Sequence, residues 1–164
     1  MVASCKMVTG ETRGELPKMA KSADELALAC SDIMWANDNA SRGLGMVKEE
    51  VRLGYARLSM LVRDDMTNGQ KIAHGGFIFT LADSAFAFAC NGRNQFTVAQ
   101  HCAITFVAAG YAGDRLTAIA EERHFAGRSG IYDITVTNQN GDTIAEFRGN
   151  SHTVRGQHIP SEDA

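Results

Sequence analysis

Hydrophobic positions along the chain repeat first at helical and later at strand spacing. Over residues 22–39, Leu26, Ala29, Cys30, Ile33, Met34 and the following Ala40 fall on one helical stripe. Ser22 or Asp24 can cap its start, and Gly43 and Gly45 follow its end. Residues 55–62 alternate as a strand, with Tyr55, Arg57, Ser59 and Leu61 on one face and Ala56, Leu58, Met60 and Val62 on the other. Residues 63–71 are polar, and Thr67-Asn68-Gly69 reads as a turn. Residues 75–90 then lack proline and are rich in Ala, Leu and Phe around nearly the whole helical circumference, the pattern of a helix buried on all sides. Asn91-Gly92 ends it.

Strand periods take over downstream. Runs are predicted at 97–107, 116–125, 131–137 and 143–154, with Asn140-Gly141 as a hairpin turn between the last two. Leu116, Ala118 and Ala120 share one face of their strand, as do Tyr132, Ile134 and Val136 of the next. Residues 1–21 show no period and read as a flexible arm, and the tail from Arg155 reads as loose. A single domain over residues 22–154 is expected. Its order, helix, strand, buried helix and four strands, fits an α+β fold in which a sheet curls around one apolar helix. A second copy of the chain would complete that helix's cover.

Composition narrows the function. Sixteen Lys and Arg against nineteen Asp and Glu leave a net charge of −3, without the basic excess of a nucleic-acid binder. The apolar run at 77–90 is shorter than the ~20 residues of a membrane span, and Asp83 interrupts it. Cys5, Cys30, Cys90 and Cys102 form no C-x-x-C pair, and Cys90 and Cys102 are expected as buried thiols. With no secretory signal in the first twenty residues, a cytoplasmic protein is expected. The five histidines lack metal-ligand spacing, and neither phosphate-cradling glycine motif is present, so no metal or cofactor is called for.

Two features carry chemistry. Asp83 is the only ionisable residue between His74 and Arg93, on an apolar helix where desolvation raises a carboxyl pKa towards the general-base range. The alternative is a polar contact that only sets register. At the start of the same helix, His74-Gly75-Gly76 offers free N–H groups and the positive end of the helix dipole to a developing oxyanion; a tight entry turn is the alternative. Gly75 and Asp83 are eight residues apart, about 12 Å along a helix. One carbonyl cannot reach both within a chain. Two such helices, antiparallel about a two-fold axis, would bring Gly75 of one against Asp83 of the other.

These residues carry a resemblance. Asn68-Gly69, His74-Gly75-Gly76 and the run Leu81-Ala82-Asp83-Ser84-Ala85-Phe86-Ala87 resemble the hotdog-fold acyl-CoA thioesterases, in the branch of the phenylacetic acid degradation protein PaaI. Tyr111-Ala112-Gly113-Asp114, Gly130-Ile131-Tyr132-Asp133 and Phe147-Arg148-Gly149 extend the likeness, which runs over residues 32–154. The resemblance implies that Gly75 polarises the thioester carbonyl, that Asp83 acts as base or nucleophile, and that Asn68 positions water or substrate. It implies a homodimer or homotetramer and an aryl-acetyl group on the coenzyme A. A related branch carries a Thr one turn after its carboxylate, where this chain has Ala87, and Ser84 is the candidate replacement. His74 and Gly76 are candidate substrate contacts. Arg128, Arg148 and Asn150 are candidates for the coenzyme A phosphates or, alternatively, exposed edge residues. A non-catalytic acyl-CoA or acyl-carrier binding module is the competing class. Hydratase chemistry pairs an Asp with a His, and no His follows Asp83 before His101.

Overall fold

The computed structural model describes residues 21–160; the expected arm at 1–21 lies almost wholly outside them. Helix α1 (Ala23–Asn37) starts at a reciprocal cap. The Ser22 Oγ accepts the Glu25 N–H at 3.2 Å, and the Glu25 carboxylate accepts the Ser22 N–H at 2.7 Å. The helix predicted to run to residue 39 breaks at Asp38. The Asp38 side chain caps a separate short helix, α2 (Asn39–Gly43), by accepting the Ser41 N–H. An unpredicted strand, β1 (Val47–Arg52), follows. It is an edge strand with only Val51 buried, so its residues show no alternation to read.

The rest follows the predicted order: β2 (Tyr55–Leu61), a 3-10 turn at Asp64–Met66, α3 (Gly75–Cys90), β3 (Thr97–Phe106), β4 (Arg115–Ala126), β5 (Ser129–Thr137) and β6 (Thr143–Thr153). All strand pairs are antiparallel, in the order β1-β2-β4-β5-β6-β3. Helix α3 touches every strand, so the sheet curls around it in the hotdog arrangement. The inner face is formed by the predicted alternations: Ala56, Leu58 and Met60; Leu116, Ala118 and Ala120; Tyr132, Ile134 and Val136. Small inner residues let the helix come close. A Cβ on Gly149 would stand 2.8 Å from the Phe86 ring.

Within one chain the burial of α3 is one-sided, leaving open the side for which a second copy of the chain was expected as cover. Leu81, Ala82, Ala85, Phe86, Phe88 and Ala89 are buried, each large side chain contributing roughly 1.5–3 kcal/mol. Gly76 is exposed, and Thr80, Asp83 and Ala87 are half-buried along the opposite stripe. The chain has one sheet, and it covers one side of a helix. Beside that stripe runs β3, bonded only to β6 and leaving Val98 and Phe106 each 49% exposed.

The start of the supposedly loose tail is tied down. Asn94 donates its amide to the Ile159 carbonyl at 2.9 Å and accepts the Ile159 N–H at 2.8 Å, while His158 Nε2 meets Asn91 Oδ1 at 2.8 Å. Ile159 is 6% exposed. These bonds join residues more than sixty positions apart, so local polarity gave no sign of them. Residues 161–164 lie outside the described region.

Candidate active site

The loop entering α3 is held by backbone bonds to its surroundings. The His74 N–H donates to the Met66 carbonyl, and the Ala73 N–H to the Gly110 carbonyl, each at 2.8 Å. Asn68 organises the loop tip: its Oδ1 accepts the Gln70 N–H at 2.9 Å and the Ile72 N–H at 3.4 Å. Two donors on that oxygen orient the amide, so its NH2 is the end left to donate to a ligand. Asn68 is thus both a turn residue and an available donor, the two readings its sequence context left open.

The two helix-entry glycines differ. His74 is the N-cap, and its Nδ1 accepts the Gly76 N–H at 3.0 Å. That bond makes Nδ1 the acceptor and engages the Gly76 donor. Gly75 keeps its N–H without an acceptor among the described residues. It opens on a cavity of about 310 Å³ lined by Asn68, Ile72, Gly75, Ile78, Phe106 and the small residues at 108–110. A Cβ on Gly75 would stand 2.9 Å from Phe106 Cζ. Glycine is therefore what lets that aromatic ring rest on the helix entry. His74, Gly76, Phe77, Thr80 and Leu44 line a second hollow of about 430 Å³ on the open side of α3.

Asp83 sits on the open stripe two turns further along. Burial raises its pKa above the ordinary carboxylate value, partly offset by the Cys102 thiol, whose Sγ lies 3.9 Å from Oδ1. In turn, burial and the neighbouring Asp83 charge push the Cys102 thiol up to about 11. Cys102 is half-buried rather than buried as predicted, because it lies on the sheet's edge strand. Ser84 turns towards α2, its hydroxyl 2.9 Å from that of Ser41. It links α2 to α3.

The coenzyme A candidates do not join this group. Arg148 is bound to Asp133 at 2.6 and 2.9 Å, and Arg123 shares that carboxylate at 3.0 Å. Strand alternation puts Arg148 and Asn150 on the sheet face opposite α3. Arg128, in the β4–β5 turn, donates its Nε to the Thr153 carbonyl at 2.9 Å. The chain thus brings Asn68 and Gly75 together, holds Asp83 apart on the same helix, and leaves Arg128, Arg148 and Asn150 elsewhere. Phe106, Cys102 and the 108–110 segment were missed as site residues. One signal was present: Val107-Ala108-Ala109-Gly110 is an apolar loop, and loops that run over a surface are ordinarily polar.

The sheet thus curls in the hotdog manner around a helix whose first N–H is free among the described residues, with a half-buried carboxylate two turns on. The family model for the thioesterase superfamily matches residues 70–145. The acyl-coenzyme A thioesterase PaaI of Escherichia coli (strain K12) is 44% identical over 123 residues, 75% of this chain and 88% of that one. A solved structure of the E. coli PaaI protein superposes with a TM-score of 0.81 at 41% identity, covering 83% of this chain and 99% of that one. A hypothetical thioesterase protein of Streptococcus pneumoniae TIGR4 solved with coenzyme A gives 0.65 at 26% identity, covering 68% of this chain and 90% of that one. The chain belongs to the thioesterase superfamily, enzymes that hydrolyse thioester bonds. No helix among the described residues is long and apolar enough to cross a membrane.

Proposed function

We propose that this protein hydrolyses acyl-CoA thioesters at a site shared by two copies of the chain. The observation that carries this is the free Gly75 N–H, opening on an apolar cavity that Asn68 also lines. The thioester carbonyl oxygen accepts from Gly75, with Asn68 beside it. Asp83 of the partner subunit reaches the same carbonyl when the open stripe Gly76-Thr80-Asp83-Ala87 packs antiparallel on its equivalent. The small residues of that stripe permit close approach, and the unpaired edge of β3 can extend one sheet into the next.

The raised pKa of Asp83 favours a general-base route. The carboxylate takes a proton from water, and the new hydroxide attacks the carbonyl carbon. The tetrahedral oxyanion rests on the Gly75 N–H. As the C–S bond breaks, the departing sulfur takes the proton held by Asp83, leaving free acid and coenzyme A. The likeness to PaaI supports an aryl-acetyl acyl group.

The test is release of free thiol from phenylacetyl-CoA by the wild type and by Asp83→Asn. A loss of at least ~100-fold in the variant is expected for a removed general base. Mixing Asp83→Asn with a Gly75 variant should restore activity by placing both intact groups at one interface. Binding without thiol release from any acyl-CoA would favour the non-catalytic module instead.

A further inference from the structure

Among the described residues, Phe106 is the one aromatic side chain of the cavity that Asn68 and Gly75 share. It ends β3, is half exposed, and rests its ring tip on the helix entry where a Gly75 Cβ would stand. Around it are Ala108, Ala109 and Gly110, whose small side chains leave space rather than fill it. The segment is clamped in place, since Val107 and Ala108 donate to the Ile144 carbonyl and Gly110 accepts from Ala73. The backbone of the cavity wall is therefore held in place, and the Phe106 ring is its largest part beside the free N–H.

A thioester whose oxygen sits on Gly75 sends its two substituents in different directions. Among the described residues, Asn68 supplies the only polar side chain of the cavity. The amide-bearing arm of coenzyme A, with its phosphates, would lose hydrogen bonds to water there without replacement. The apolar acyl group loses nothing. At about 310 Å³, the space is at the lower end of the roughly 300–1,000 Å³ of small-molecule pockets, which suits a compact acyl group better than a long chain.

Resting on the acyl-CoA reading above, we propose that Phe106 is the specificity-determining residue of this site: its ring bounds the acyl cavity between Gly75 and residues 108–110 and selects compact acyl groups over bulky ones.

Two kinds of measurement test this. The first is kcat/KM for phenylacetyl-, acetyl- and decanoyl-CoA in wild type, Phe106→Ala and Phe106→Trp. Opening the cavity should shift the phenylacetyl-to-decanoyl ratio towards decanoyl by roughly tenfold or more, the scale of hydrophobic-pocket discrimination. The tryptophan variant should shift it the other way. Equal changes for all three substrates in both variants would mean that the ring meets the coenzyme A arm or only packs, and would overturn the proposal. The second measurement needs no turnover. In Asp83→Asn with 13C-labelled alanine methyls, phenylacetyl-CoA should move the Ala108 and Ala109 signals by ring-current shifts that acetyl-CoA does not produce. Identical spectra with both ligands would place the acyl group elsewhere and overturn it. If wild type released no thiol, the hydrolysis reading would fail, while the methyl shifts would still decide where the acyl group lies.

Discussion

Gly75→Ala and Gly149→Ala add the same methyl group at two contacts with phenylalanine rings, and the structure predicts opposite consequences. At Gly75 the new Cβ would lie 2.9 Å from Phe106 Cζ and 3.3 Å from two further ring carbons. Carbon pairs prefer about 3.5–4.0 Å, so the ring must retreat by roughly 0.6–1 Å. Phe106 is 49% exposed and can swing outward. Gly75 has no positive φ, and alanine is favoured over glycine inside a helix by up to ~1 kcal/mol. Net stability should therefore stay within about 1 kcal/mol of wild type. At Gly149 the Cβ would meet three ring carbons of Phe86 at 2.8, 2.8 and 2.9 Å. Phe86 is 1% exposed and packed against Tyr132 and Phe147, so it has nowhere to go. Overpacking there should cost about 1–3 kcal/mol, at roughly 2–4 °C of Tm per kcal/mol. Activity should reverse the order. A methyl beside the carbonyl-binding N–H displaces the reacting group by up to ~1 Å, which costs on the order of 100-fold in kcat. Gly149→Ala, where folded, should keep most of its kcat. Thermal unfolding alongside thiol release would measure both. Full kcat in Gly75→Ala would refute the assignment of its N–H to catalysis. A stability loss as large as that of Gly149→Ala would refute the packing argument.

Three further outcomes follow from the same contacts. Asp83→Asn should raise Tm at neutral pH while lowering activity. Since burial raises the folded pKa of Asp83, wild type should lose stability relative to the variant as pH rises from ~4 through that folded value, and the gap should then stay constant. A gap that closes with rising pH would contradict this sign. Cys102→Ala removes the thiol that favours the Asp83 carboxylate, so the acid limb of the kcat/KM profile should move to higher pH, and Cys102→Ser should move it back. Tyr132→Phe removes an O–H that donates to the Glu122 carboxylate at 2.6 Å and should cost about 1.5–3 kcal/mol in urea unfolding. Burial alone would raise the Glu122 pKa, but Arg93 and Tyr132 hold it below the ordinary value. That contribution should fade as pH falls through the folded pKa.

Residue pattern alone located α3 from Gly75 to Cys90 and the inner faces of β2, β4 and β5, and it singled out Gly75 and Asp83 as candidates, while the role proposed for Asn68 came from the family resemblance. Each depends on neighbours close in sequence. Apolar spacing signals a helix or strand wherever one face must be buried, and the glycine pair and lone carboxylate belong to a single helix. The break at Asp38 was less legible, because an Asp that caps a second helix still looks helical in composition. Strand β1 was illegible because pairing along one edge, rather than burial, makes Val47–Arg52 a strand.

Contacts between distant segments were set by the folded chain and left no mark on local residue pattern. Which glycine N–H stays free depends on the His74 ring turning back onto Gly76. Whether Ser84 faces ligand or scaffold depends on Ser41, forty-three residues earlier. The placement of Phe106 on Gly75 and Cys102 on Asp83 comes from β3 joining the sheet beyond β6, a topological choice that periodicity does not encode. The sequence determined the local chemistry and the elements that carry it. The closing of the sheet around α3 decided which groups meet, because that depends on chain segments that approach only when the core is buried.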